Sequence, residues 1–412
     1  MVIEGGEGTN LVDAEGRRYI DGVSSLWCNV HGHRHPLIDQ AVREQLERVA
    51  HTTMLGLTHP GAAELAARLA DLAPPGLDRV FYSDSGSTAT EVALKMAFQY
   101  WRQRGGQQAG RSSFVCLTDA YHGDTLGAVS VGGIDAFHAA YSPLLFDAHR
   151  VAPGDASALE SVLDSHAGEI AAVILEPLVQ GAAGIRVQPP GYLRRVRELC
   201  DAHDLLLICD EVATGFGRTG TMFACEQERV APDFLCLGKG LTGGYLPLAA
   251  TLTTEQVYEG FLGAPEDGRT FFHGHTFTGN PLGCAAGLAS LDVFEREGTL
   301  LRLQPKIRLL GELLDEVARM PEVAEVRGRG FMVGIDLGEH DPALRLGHRV
   351  AMEARGRGAI IRPLGETIVL MPPLAISKVD LRRLVEITAE SIGAAVASTY
   401  AERRTQPLLR AA

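Results

Sequence analysis

Between about residues 60 and 295, stretches with apolar residues at helical spacing alternate with short runs that are apolar throughout. The runs centre on residues 79–82, 114–117, 171–175, 205–209 and 235–237, and helices are predicted between them, at 90–101 and 191–203 among others. Strands without polar alternation are buried on both faces, so this part predicts a mostly parallel sheet covered by helices. Before it, residues 9–23 read as a hairpin about the turn Asp13-Ala14-Glu15-Gly16. A loop at 24–36 and an amphipathic helix at 37–49 follow. Beyond a helix from about 283, the pattern changes to a separate α+β unit. It has a long helix to 319, strands at 323–327 and 331–337, and a helix at 342–357. Two more strands, at 360–362 and 367–371, precede a terminal helix from Asp380, with a frayed tail from Glu402. The expected domains are an N-terminal segment 1–50 contributing to the small domain, a large domain 51–298, and a small domain 299–412.

Composition narrows the function classes. A formal charge of −13 with no basic block argues against nucleic acid. No apolar run approaches membrane-spanning length, and Met1–Gly8 has neither the basic region nor the apolar core of a signal peptide. The seven cysteines include no C-x-x-C pair and several lie in apolar strands, so they read as buried thiols in a reducing, cytoplasmic compartment. His31, His33 and His35 alternate like ligands, but no second ligand cluster accompanies them, and no metal is assigned.

The chemistry collects where strands end. The chain has only four lysines. Lys95 and Lys306 lie in helical stretches, Lys378 beside the acidic start of the C-terminal helix, and all three read as solvated. Lys239 alone sits between glycines where the run Leu235-Cys236-Leu237 gives way to a loop. A surface turn explains such a lysine as well as an imine-forming amine does, and the remaining strand ends weigh against the turn. After the run 79–82, Ser85-Gly86-Ser87-Thr88 opens a helix, with three hydroxyls and a glycine in four residues. That is an ordinary N-cap or a phosphate cradle, and the density of donors favours phosphate. Tyr121 stands in a polar loop after the run 114–117, and Glu176 and Asp210 each end a fully apolar run. Two strand-end acids are also compatible with glycoside chemistry, although their separation is not readable from sequence. Taken together, a phosphate cradle, an aromatic loop, a strand-end carboxylate and one lysine 29 residues later suit a phosphorylated pyridine aldehyde.

At these residues a family resemblance emerges. Asp210-Glu211-Val212-Ala213-Thr214-Gly215-Phe216-Gly217-Arg218-Thr219-Gly220, followed by Gly238-Lys239-Gly240, resembles the signature of class III pyridoxal-phosphate (PLP) aminotransferases. The resemblance implies an α/β, fold-type-I PLP-dependent transferase of the aspartate-aminotransferase kind, with a large mostly parallel sheet domain and a small α+β domain. Asp84-Ser85-Gly86-Ser87, Tyr121-His122-Gly123-Asp124-Thr125, FFHGHTFTGNP at 271–281 and RPLG at 362–365 are similar to the biotin-biosynthesis branch. That branch converts 8-amino-7-oxononanoate to 7,8-diaminononanoate. The similarity implies Lys239 as the imine lysine and proton-transfer base, Asp210 as partner of the pyridinium nitrogen, and Tyr121 stacked on the ring. It implies Gly86, Ser87, His275 and Thr276 at the phosphate, with Thr276 and the His275 backbone reaching a partner subunit's site in a homodimer. Trp27, Tyr121, Arg218, Gly274 and Arg362 would contact substrate, Arg362 taking the carboxylate.

Two departures stand out. Enzymes of this branch that take S-adenosyl-L-methionine as amino donor commonly carry two adjacent tryptophans where this chain has Leu26-Trp27. One aromatic face fewer weakens sulfonium recognition, and lysine is the other donor the resemblance implies. The chain also opens directly on the hairpin, without an aromatic-Pro-aromatic-Thr segment, so a pocket wall is missing or the sequence is a truncated form. The alternatives are another ω-amino-acid or ω-amine aminotransferase, a same-scaffold aminomutase, and a non-enzymic PLP-binding regulator.

Overall fold

The computed structural model describes residues 1–166 and 168–410. Each apolar run becomes a strand of one seven-stranded sheet. From edge to edge it reads Arg79–Ser83, Ala249–Thr253, Phe234–Leu237, Leu206–Asp210, Ile170–Leu175, Ser113–Leu117 and His149–Val151. The strands Ile170–Leu175, Leu206–Asp210, Phe234–Leu237 and Ala249–Thr253 are buried at every position, which is why they lack polar alternation. The sheet is parallel except that Ala249–Thr253 runs antiparallel to both its neighbours. Inserting one reversed strand keeps Arg79–Ser83 running with the parallel set: Leu237 pairs with Ala250, and Ser83 with Ala249. The loops after Ser83, Leu117, Leu175, Asp210 and Leu237 therefore leave from one edge of the sheet, where open α/β sheets place their ligands.

The helix after the first strand begins at Gly86, four residues before the expected start, and continues to Arg104. The cause is local: Ser85 Oγ accepts from Thr88 N while Thr88 Oγ1 accepts from Ser85 N, a reciprocal box that starts the helix early. Its Ala89, Val92, Ala93, Met96, Ala97 and Trp101 pack on Phe114, Ile174, Ile208 and Phe234 of the sheet. Trp101 Nε1 donates to Ala171 O at 2.7 Å, so the indole is buried without leaving its polar atom unmet.

This sheet lies in a unit formed by Pro36–Ala183 and Val187–Val293. A second unit comprises Met1–His35, Gly184–Arg186 and Phe294–Ala412. Its N-terminal strands Ile3–Glu7, Asn10–Asp13 and Arg18–Asp21 form an antiparallel meander, and Ala359–Ile360 joins it parallel to the third strand. The first of these strands lies outside the expected hairpin. Glu325–Arg329, Met332–Asp336, Thr367–Leu370 and Arg362–Leu364 form a separate antiparallel sheet. The helix expected at 342–357 is divided: a turn at Pro342–Leu344 stops at Arg345, whose φ is 49°, and the helix Leu346–Gly356 follows. The expected tail falls on the last turns of the helix Lys378–Arg410 and on 411–412, whose side chains lie outside the described residues.

One surface expectation changes. Lys306 is not solvated: its ammonium donates to the carbonyls of Leu374 and Ile376, and burial pulls its pKa down to about 8. The alternating histidines take different polar partners, although the His31 and His35 rings meet edge-on at 6.1 Å. His33 bonds Asp21 and Asn29, His35 bonds Glu297, and His31 packs edge-on against Phe294. Among the described residues, no helix is long and apolar enough to cross a membrane.

Candidate active site

Asp210 ends its strand almost fully buried. One carboxylate oxygen accepts from Val212 N at 3.0 Å, and the other lies 2.8 Å from His122 Nδ1. A carboxylate can only accept, so Nδ1 carries the hydrogen of that bond. His122 Nε2 is buried with no hydrogen-bond partner among the described residues. The pair crosses 88 residues of sequence, and no local pattern announced it. Its one trace in the sequence is a histidine directly after Tyr121 in a strand-end loop.

Glu176, at the end of the adjacent strand, organises that same loop. It accepts from Tyr121 N at 3.2 Å and from Gly181 N at 2.8 Å. Burial pushes its pKa up to about 7, with Asp210 adding to the rise and His122 opposing it. Tyr121 is half-buried. Its hydroxyl donates to Asp124, and its ring lies parallel to His138 with centroids 6.1 Å apart. Glu211 turns away from this cluster to receive Ala224 N, Cys225 N and the Thr214 hydroxyl. It is wholly buried, and burial raises its pKa to about 7 as well. These bonds fix the loop 211–225, in which Arg218 is also buried.

Lys239 stands half-buried at the start of a short turn, Lys239–Thr242, with φ of 38°. A left-handed lysine costs about 1–2 kcal/mol, so the surrounding packing must hold it there. The packing is tight on both sides. A Cβ on Gly240 would stand 2.8 Å from Phe216 Cβ, and one on Gly238 would stand 3.4 Å from the backbone of Gly86. The lysine turn thus lies against the first residue of the helix Gly86–Arg104, and Val212 fills the remaining side of that glycine. Gly238, beside Lys239, thus meets the backbone of Gly86, and Val212, whose N–H bonds Asp210, packs on the same glycine.

The helix start presents the N–H groups of Gly86 and Ser87, which have no preceding helical carbonyl to bond. The Ser87 hydroxyl is already engaged: it accepts from Thr125 N at 3.0 Å and shares a 2.8 Å bond with Thr125 Oγ1. Gly123, at φ of 117°, passes so close that a Cβ would lie 2.3 Å from Ser87 Oγ. Thr125 is therefore a residue of the site that sequence reading left without a role. His275 lies in the 271–281 loop, its Nδ1 3.6 Å from Asp84 and its N–H donating to Thr278 Oγ1; Gly274 and Thr276 are exposed. In the other unit, Trp27 is buried with φ of 66°, and Arg362 is exposed on the strand Arg362–Leu364.

The residues fit PLP on chemical grounds. The buried carboxylate has both oxygens oriented by N–H donors and retains lone pairs for a protonated ring nitrogen. The helix start suits a phosphate, and the half-buried lysine directly follows Gly238, which packs on that start.

Comparison with known proteins agrees with this geometry. The class-III aminotransferase family model matches residues 1–392. The adenosylmethionine-8-amino-7-oxononanoate aminotransferase of Nitratidesulfovibrio vulgaris is 54% identical over 95% of this chain and 77% of its own. The enzyme of that name from Geobacter sulfurreducens is 52% identical over 95% and 92%. The solved structure of the Methanocaldococcus jannaschii enzyme of the same name superposes with a TM-score of 0.93. It is 43% identical, over 95% of this chain and 93% of that one. A PLP-bound amine transaminase from an uncultivated Pseudomonas species gives 0.88 at 38% identity, over 97% and 95%. On the family match and these identities, the chain belongs to the class-III aminotransferases, fold-type-I enzymes that depend on PLP.

Proposed function

We propose that the protein transfers an amino group to 8-amino-7-oxononanoate, forming 7,8-diaminononanoate for biotin biosynthesis, with PLP as cofactor and S-adenosyl-L-methionine as donor. The observation that carries the chemistry is that Gly86 packs against both Gly238, next to Lys239, and Val212, whose N–H bonds the His122-held Asp210. The acceptor and donor rest on the names of relatives more than half identical over nearly the whole chain.

When bound, PLP supplies an electron sink for the electrons released at the amine-bearing carbon. Lys239 holds the cofactor and moves the proton at that carbon. Asp210 keeps a proton on the ring nitrogen, and the His122 Nδ1–H keeps that carboxylate aimed. The N–H groups of Gly86 and Ser87 bind the phosphate, while Thr125 fixes the Ser87 side chain. Tyr121, pinned through its N–H by Glu176, covers the ring. Arg218, Gly274, Trp27 and Arg362 serve as substrate contacts, Arg362 for the carboxylate. His275 and Thr276 act across a homodimer, and the exposed Phe272, Phe277, Leu55 and Leu57 support a second copy covering this surface. The cytoplasm is the proposed compartment.

A second reading, another ω-amine aminotransferase, draws on Leu26, half-exposed where a donor-binding aromatic is expected, and on the likeness to the amine transaminase. Mass spectrometry of the product from 8-amino-7-oxononanoate with each donor separates them. Diaminononanoate with S-adenosyl-L-methionine is the expected result. Product with lysine alone overturns the donor. No diaminononanoate with either donor, but turnover of simple ω-amines, overturns the acceptor.

A further inference from the structure

Away from the active-site edge, the sheet ends in the strand His149–Val151, and a histidine cluster sits there that transamination does not use. His149 opens that strand, His166 ends the helix Ala156–His166, and Glu169 precedes the next strand. One ligand atom from each side chain lies within 4.8 Å of the other two. The imidazoles stack with centroids 4.5 Å apart, and the Glu169 carboxylate lies 3.6 Å from His166 Nδ1.

The backbone fixes all three positions. His149 is paired with Val115 in the parallel ladder. The Glu169 carbonyl accepts from Ser112 N and Ser113 N, and Glu169 N donates to His166 O at 2.8 Å. The carboxylate is therefore delivered one turn from His166 on a braced segment. Two imidazoles and a carboxylate are a ligand set for borderline divalent cations, zinc above all. Metal–ligand bonds of about 2.0–2.1 Å place tetrahedral ligand atoms about 3.3 Å apart, and side-chain rotation alone closes the difference. Glu169 is mostly exposed and His166 partly so, which leaves a fourth position open to water.

We propose that His149, His166 and Glu169 form a binding site for one zinc-class divalent cation, stapling the end of the helix Ala156–His166 to the sheet's edge strand. The site lies outside the catalytic machinery, so its loss leaves transamination intact.

The test uses PLP-loaded protein freed of metal by chelation and dialysis. Calorimetric titration with Zn2+ should show one saturable site per chain, and Co2+ should develop visible absorbance at the same stoichiometry. His149→Ala and His166→Ala should each weaken Zn2+ binding at least about tenfold, with unchanged turnover. Glu169→Gln, on an exposed side chain that does not disturb packing, should weaken it in the same direction. Equal binding by wild type and all three variants overturns the site, as does the absence of saturable binding below about 1 mM in wild type.

Discussion

Gly86 has no room for a methyl group, and that makes Gly86→Ala a sharp test of how the candidate site is assembled. A Cβ there would lie 2.4 Å from Val212 Cγ1 and 3.0 Å from Cγ2. Val212 is β-branched and stiff about χ1, so it cannot swing aside cheaply. Its N–H donates to Asp210, so pushing it displaces the carboxylate that the cofactor needs. Gly238, beside Lys239, packs against the Gly86 backbone as well. Overpacking of this kind costs about 1–3 kcal/mol. If the strain is relieved only by opening the site, PLP binds roughly 5- to 150-fold more weakly. Titration of apoprotein with PLP, followed by visible absorbance, measures that ratio. Val212→Ala removes the two clashing methyls and should restore much of the affinity in the double variant. Gly311→Ala, in a helix with nothing within 4 Å of its Cβ, is the control and should leave PLP binding unchanged. A Gly86→Ala protein that binds PLP like wild type refutes the reasoning, and so does a double variant no better than the single.

Lys239→Ala should lose both turnover and the borohydride-fixed pyridoxyl adduct. An adduct mapped to Lys95, Lys306 or Lys378 would contradict the assignment. Asp210→Asn should keep the fold, checked by circular dichroism, and lose most of its kcat, because a neutral partner no longer holds a proton on the ring nitrogen. A near wild-type rate would remove that role. Glu211 holds its proton more tightly folded, with a pKa of about 7, than unfolded, near 4.5. Its contribution is therefore fully present below about pH 4.5 and is lost as the pH rises through about 7, a change of about 3 kcal/mol. Denaturation midpoints of Glu211→Gln should consequently vary less between about pH 5 and 8 than those of wild type, and superimposable profiles would discard the idea. Mixing inactive Lys239→Ala chains with inactive Thr276→Ala chains should restore partial activity through hybrid dimers, whereas a fully active monomer by light scattering would exclude shared sites.

What the sequence determined by itself is what local physics controls. A run such as Ile170–Leu175 is apolar at every position because both faces are covered, and that requirement is written residue by residue. Turn chemistry is equally local, as in Asp13–Gly16, and so is the placement of strand-end residues such as Asp210 and Lys239. Even the early start of the helix at Gly86 was present in the Ser85–Thr88 spacing, although the apolar period drew the expected start to Thr90. Only the tertiary structure decided the partners. Pairing is set by strand order and register, so the reversed strand Ala249–Thr253 looks like its parallel neighbours in one dimension. His122 meets Asp210 because two non-consecutive strands deliver their loops to one edge. Gly86, Val212 and Gly238 meet for the same reason, and their contact distances have no counterpart in spacing. Lys306 reads as solvated by its helical neighbours, yet two carbonyls nearly seventy residues further along take its ammonium out of water. Periodicity reports which face of an element is buried, and it carries no information about which distant group that face will touch.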